Sequence, residues 1–222
     1  MHARASLALW LFFLGALCGA VSASAFQFDP AAIRGVALAL YGNAGTARVD
    51  AWLAMLDSSS HLSDIEKLRR VNLFWNTAVS QAEDRDVWQL EDYWATPLES
   101  LGRGLGDCED FVIAKYFSLL RLGVPANRLR LIYVRAQQRV DGRLQAIPHM
   151  VLGYYSAPDA EPLVLDSLRD DIRKGGERAD LAPVFSFNAE GIFLRGTESG
   201  SVDQIGRWRG LVARLRAQGF EP

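Results

Sequence analysis

The stretch "GRGLGDCEDFVIAKYFSLLRLGVP", residues 102–125, changes character at its middle. Its first part holds three glycines and an acidic residue on either side of Cys108. From Glu109 to Leu122 it is nearly all apolar, and Gly123 and Pro125 stop it. Such a run reads as a helix buried on most of its sides. Helices precede it and strand-like segments follow it, so this helix sits at the centre of the predicted fold.

Upstream, "FDPAAIRGVALALYG" begins with Asp29 and Pro30, a favoured cap and first-turn pair, and ends near Gly42. A second helix fits "ARVDAWLAMLDS". A third opens at Ser63, where "SDIE" is a capping box with Glu66 reaching back, and carries apolar residues at 65, 68, 71, 73, 74 and 75. Residues 87–107 lack regular periodicity and read as a long structured loop, a place where sites are commonly built.

Downstream, strand character appears at 128–136, 149–155 and 162–166, then in "PVFSF" and "GIFLR" around the turn "NAEG". The basic stretch "RDDIRKGGER", 169–178, reads as a solvated loop. "SVDQIGRWRGLVARLRAQG" reads as a closing amphipathic helix starting at Ser201. Helices, a central buried helix and an antiparallel sheet make an α+β fold.

The 222 residues are 50% hydrophobic and 23% charged, which suits one globular domain. The start departs from that balance. Residues 7–21 are almost wholly apolar and "ASA" at 23–25 offers small residues for cleavage, so residues 1–25 read as a secretory signal peptide. About 15 apolar residues fall short of the roughly 20 needed to span a bilayer, although a retained anchor is the alternative. Leu17 before Cys18 speaks against lipoprotein processing.

The expected mature domain is 26–222, mainly helical over 26–95, with the site-bearing core and closing helix in 96–222. The formal charge of −2 becomes −3 without Arg4, and Lys and Arg are dispersed, which argues against a nucleic-acid partner. One cysteine, Cys108, then remains. An exported chain with one thiol forms no internal disulfide, so that thiol is buried, reactive or partnered elsewhere.

Cys108 falls where the glycine-rich loop becomes the helix, so its sulfur lies near unpaired backbone N–H groups that favour a thiolate. His149 opens the strand "HMVLGYY" and Asp166 closes "PLVLD". If "SAPD", 156–159, forms the turn between them, Tyr155 pairs with Ala160 and His149 stands directly opposite Asp166. A cysteine, a histidine and a carboxylate that orients it are the parts of acyl-transfer chemistry. The same positions also fit a small core cysteine, a strand-edge histidine and a turn cap, and spacing does not choose between these.

The run "WATPLESLGRGLGDCEDFVIAKYFSLLRLGVP", followed by "HMVLGYY", "PLVLD", "FSFNAEGIFLRG" and "RWRGLVARL", resembles the bacterial transglutaminase-like cysteine proteinases, specifically the LapG-type adhesin-releasing group. The resemblance covers most of residues 65–218. It implies a papain-like, transglutaminase-like fold with Cys108 as nucleophile, His149 as general base and then acid, and Asp166 as orienter. Acyl transfer to an amine, or a silent binding module on the same fold, are the rival activities.

The resemblance further implies a periplasmic endopeptidase that cuts a large surface adhesin next to paired alanines and so disperses biofilm. Its expected partners are that adhesin and an inner-membrane cyclic di-GMP receptor that captures the protease. It also implies calcium held by Asp107, Glu109 and Asp110, whereas composition alone reads these acids as an ordinary helix cap. Calcium takes six to eight oxygens, so loop residues such as Glu91 and Asp92 are candidates to complete the site. Ser167, where many relatives carry Asn, is a departure beside the orienter.

Overall fold

The structure, a computed structural model, describes residues 26–194 and 196–222, so the signal-peptide segment lies outside the described residues. The first elements are β1 (Gln27–Phe28), α1 (Pro30–Ser59), α2 (Asp64–Ala78), β2 (Ser80–Gln81), α3 (Asp84–Val87), α4 (Pro97–Arg103) and β3 (Leu105–Gly106). Then come α5 (Cys108–Arg121), β4 (Leu129–Val140), β5 (Arg143–Tyr154), β6 (Leu163–Asp166) and β7 (Arg169–Lys174). The chain closes with β8 (Leu181–Phe187), β9 (Ile192–Leu194), β10 (Thr197–Gly200), α6 (Gly206–Ala217) and β11 (Phe220–Glu221).

The two helices expected before residue 60 are the halves of α1, broken at Gly42, whose positive φ of 62° leaves the helical region. Asp29 caps the first half through Ala31 N–H at 2.9 Å. The Ser63–Glu66 box opens α2 as expected, with Ser63 N–H donating to Glu66 at 3.1 Å. Of its apolar positions Leu68, Val71 and Trp75 are buried, while Ile65 and Leu73 face out.

α5 is the predicted central helix. Residues 110–120 are all buried between α2 on one side and β5 on the other. Ser118 shows why a hydroxyl is tolerated there. Its Oγ accepts the indole N–H of Trp52 and of Trp75, each at 2.9 Å, and donates to the Ala114 carbonyl at 2.7 Å, so every bond it can make is made.

The sheet is antiparallel in the order β10-β9-β8-β4-β5-β6-β7. Its inward residues, among them Leu131, Met150, Leu152 and Leu165, join the main core with α5. Ile132, Val134, Val151 and Val164 alternate with these and form a smaller cluster on the opposite face.

The structure corrects several sequence expectations. Residues 97–103 are not loop but α4, opened by a second capping box in which Thr96 N–H donates to Glu99 at 2.8 Å. β4 and β5 run well past residues 136 and 149 and meet at Asp141–Gly142, with φ of 49° and 77°, a mirror-image hairpin turn. The stretch 169–178 is no solvated loop: 169–174 is the edge strand β7, and Arg178 is 4% exposed. The closing helix begins at Gly206, after a short 3₁₀ turn over Val202–Gln204.

The hairpin register is also corrected. β5 pairs with β6 through Leu152↔Leu165 and Tyr154↔Leu163, because the connection takes in all of 155–162 rather than four residues. His149 is therefore offset by two residues from the position facing Asp166. Side chains alternate with period two, so an even offset leaves both residues on one face of the sheet.

Candidate active site

Three short elements assemble the site around the start of α5. β2 and β3 pair in parallel, Ser80↔Leu105 and Gln81↔Gly106, and Ala82 N–H donates to the Gly106 carbonyl at 2.9 Å. That pairing brings Asp84, first residue of α3, beside the loop that presents Cys108. Gly106 allows close packing at this point, since a Cβ there would stand 3.0 Å from both Cβ and Oδ2 of Asp110.

Cys108 is the first residue of α5, as expected, and is partly buried. Its thiol donates to Glu109 Oε2 at 3.0 Å, and the backbone N–H of Met150, the residue after His149, lies near enough to its sulfur to favour the thiolate. The sulfur thus faces the β5 backbone one residue beyond His149. Burial, then the charge and hydrogen bond of Glu109, then Asp107, push the thiol far above its usual range, with the Met150 N–H opposing.

His149 Nε2 lies 2.8 Å from Asp166 Oδ1, and both side chains are almost fully buried. Burial alone would raise Asp166. The bond and charge of His149, the Leu168 N–H at 3.0 Å and Arg178 outweigh it and hold the carboxyl far below the usual range. An ionised carboxylate only accepts hydrogen bonds, so Nε2 carries the proton. The neutral ring then keeps Nδ1 unprotonated, available as a base.

The carboxylates beside Cys108 form two overlapping groups, Asp84 with Asp92 and Glu109, and Asp84 with Asp107 and Asp110; within each, ligand oxygens lie within 4.8 Å of one another. Asp110 also caps the helix: it accepts Ala95 N–H at 2.7 Å and Asp107 N–H at 3.4 Å. Asp110 therefore both caps the helix and belongs to a group that could hold a metal ion.

Capping leaves oxygens over, however. Asp84 Oδ1 and Asp107 Oδ1 are buried with no hydrogen-bond partner. Burial, then the neighbouring carboxylates, raises Asp107, while burial raises Asp110 well above the usual range against its backbone bonds. Asp84 is pushed up to about 6, mainly by burial. Orphaned carboxylate oxygens in mutual repulsion are what an oxygen-liganded cation would satisfy.

Asp84 was missed in the sequence because "SQAEDRD" looks like any polar connection. Its signal lies in the β2–β3 pairing, which two residues per strand are too short to announce. Asp92 joins the cluster as expected, but Glu91 does not: it is exposed and paired with Arg85 at 2.6 Å. Tyr93, beside Asp92, donates its hydroxyl to Glu99 at 3.1 Å. His61, between α1 and α2, is exposed.

A cysteine at the head of a buried helix, seated on a strand whose histidine is bound to a carboxylate, is the arrangement of transglutaminase-like thiol enzymes. The sequence model of the bacterial transglutaminase-like cysteine proteinase family, BTLCP, matches residues 53–177. Among solved structures, Legionella pneumophila LapG aligns at 36% identity and a TM-score of 0.74, covering 85% of this chain and 98% of that one.

An EGTA-treated LapG aligns at 36% identity and 0.75, with the same shares covered. A calcium-bound LapG aligns at 37% and 0.72, covering 84% of this chain and 99% of that one. A comparison with curated proteins finds no match. The chain belongs to the bacterial transglutaminase-like cysteine proteinases and has their α+β fold.

Proposed function

We propose that this protein is a calcium-dependent periplasmic cysteine endopeptidase that cuts the N-terminal region of a large surface adhesin next to paired alanines. The observation that carries the reading is the buried Asp166–His149 pair, 2.8 Å apart, with the Cys108 sulfur against the next residue's N–H.

In this reading His149 Nδ1 takes the thiol proton and the Cys108 sulfur attacks the alanyl carbonyl carbon. The tetrahedral oxyanion is met by the Cys108 backbone N–H, free at the start of α5. As the intermediate collapses the C–N bond breaks, and His149 gives its proton to the leaving amine. Water, deprotonated by His149, then attacks the thioester, and the carboxylate product leaves as the thiol is re-formed. Asp166 keeps the ring in the Nε2–H tautomer throughout and stabilises the imidazolium.

Asp84, Asp92, Asp107, Glu109 and Asp110 are the residues that would hold calcium. Bound there, it would neutralise the charges that keep the Cys108 thiol protonated. The calcium-bound form of the similar LapG and the orphaned oxygens of Asp84 and Asp107 support this part. The apolar segment at 7–21 supports export to the periplasm, and the likeness to the adhesin-releasing group supports control by an inner-membrane cyclic di-GMP receptor.

The test is incubation of the purified mature chain with adhesin N-terminal fragments, with and without EGTA. Cleavage next to paired alanines, lost on chelation and restored by calcium but not magnesium, is the expected result. Fragments left intact in the presence of calcium would overturn the reading.

A further inference from the structure

Behind the histidine–carboxylate pair the structure holds a second buried charge. Arg178 Nη2 donates to Asp166 Oδ2 at 2.8 Å, on the oxygen that His149 does not use, and its side chain is 3% exposed. The same guanidinium donates from Nε and Nη2 to Asp180 at 2.9 and 2.7 Å. His149, Asp166, Arg178 and Asp180 therefore form one continuous chain from the site to the partly exposed Asp180 carboxylate.

The backbone that carries Arg178 is tied down on three sides. Gly175 N–H donates to the Pro162 carbonyl at 2.8 Å, Gly176 N–H to Glu161 at 2.6 Å, and Gln137 N–H on β4 to the Asp180 carbonyl at 2.8 Å. Asn76 Nδ2, from α2, holds the Asp166 carbonyl at 3.0 Å. A guanidinium fixed in this way presents its fork in one orientation, whereas a solvent-facing arginine would lose several rotamers to do so.

We propose that Arg178 is a positioning residue of the reaction: by holding Asp166 Oδ2 it keeps Oδ1 on His149 Nε2, and its charge limits how strongly Asp166 favours the imidazolium. This rests on the reading of His149 as the general base. Two cationic contacts compete for one carboxylate, so what Arg178 takes from Asp166 is withheld from His149. Asp180 in turn draws on Arg178.

The other charged groups around Asp166 are Lys115 from α5, which is fully buried with no hydrogen-bond partner for Nζ, and Asp170 and Arg169 from β7. Burial pulls Lys115 down to about 7, against Asp166 and Asp170, so its own ionisation falls near that of a histidine. Lys115→Met, made in each background, removes that overlap.

The test is an NMR titration of the His149 imidazole nitrogens in the mature protein with calcium present, using Arg178→Gln, Arg178→Lys and Asp180→Asn. Arg178→Gln is expected to keep the imidazolium to a pH about one unit higher, a roughly tenfold change in its proton affinity. Arg178→Lys restores the charge and brings the titration back toward the parent. Asp180→Asn leaves Asp166 as the sole carboxylate on Arg178 and moves the titration the other way.

The corresponding cleavage assay is expected to show kcat for Arg178→Gln about tenfold lower with KM nearly unchanged, the mark of a group that acts through its neighbour. A His149 titration that is unmoved in both Arg178→Gln and Asp180→Asn, or moved in the opposite sense, overturns the proposal. If Arg178→Gln does not fold, Asp180→Asn carries the test. The titration reads Arg178 even if no adhesin fragment is cut, so failure of the endopeptidase reading stays separate.

Discussion

At the scale of single residues, the acids and the histidine pull Cys108 in opposite directions. Its thiol donates to Glu109, and the neighbouring carboxylates oppose its ionisation. Glu109→Gln removes the larger of these charges, so in EGTA the variant should react with iodoacetamide at neutral pH about tenfold faster than the parent, one pKa unit of relief. An unchanged rate would mean that burial alone holds the proton. Cys108→Ser should abolish cleavage, and Asp166→Asn should lower kcat by about three to four orders of magnitude by releasing the histidine tautomer. Both are read from initial rates on an adhesin fragment. Cys108, His149 and Asp166 stood out in the sequence as candidates by residue type, chain order and the family resemblance, since spacing alone did not choose between a site and a core reading. Arg178 and Asp84 did not stand out, because an arginine in a basic run and an aspartate in a polar run carry no local mark of burial.

At the scale of elements, α5 serves two purposes that meet at Ser118 and Cys108. Its N-terminus presents the thiol, and its middle is the post against which α2 and the sheet pack. Ser118→Ala would strand two buried indole N–H groups, those of Trp52 and Trp75, at a cost of about 2–5 kcal/mol. Urea unfolding followed by tryptophan fluorescence measures that loss, and a change below about 0.5 kcal/mol would mean that other groups take over. The β2–β3 pairing matters through what it carries. Asp84→Ala should leave the fold intact yet weaken calcium binding by at least tenfold in isothermal titration, because it removes the residue shared by both carboxylate groups. The capping box at Ser63 was visible in the sequence, whereas the one at Thr96 was hidden inside a stretch of aromatics and glycines.

For the molecule as a whole, the carboxylate cluster gives metal-free stability an unusual dependence on pH. Asp84, Asp107 and Asp110 all bind protons more tightly folded than unfolded. Their contribution is therefore complete below the unfolded value of about 4 and is lost as pH rises through their folded values, about 6 for Asp84. Asp166 has the opposite sign: its contribution stands above about 4 and goes only at much lower pH, so it does not alter this window. In EGTA the melting temperature should fall by roughly 5 °C between about pH 5 and pH 7.5, and calcium should abolish most of that fall. A melting temperature that rises over the same range without calcium would refute the repulsion.

The α+β class, the central helix and the order of its cysteine, histidine and aspartate follow from local signals: apolar runs, caps, turns and side-chain chemistry. These are properties of neighbouring residues, so the amino-acid order carries them. Register, burial and the company of each charge depend on contacts between distant segments. The two-residue offset between His149 and Asp166 is set by how much chain the 155–162 connection takes up. Arg178 reaches Asp166 only because Pro162, Glu161 and Gln137 anchor its backbone. Asp84 meets Asp107 only because two short strands pair. Such meetings are decided by where whole elements pack, which is why they became visible only in three dimensions.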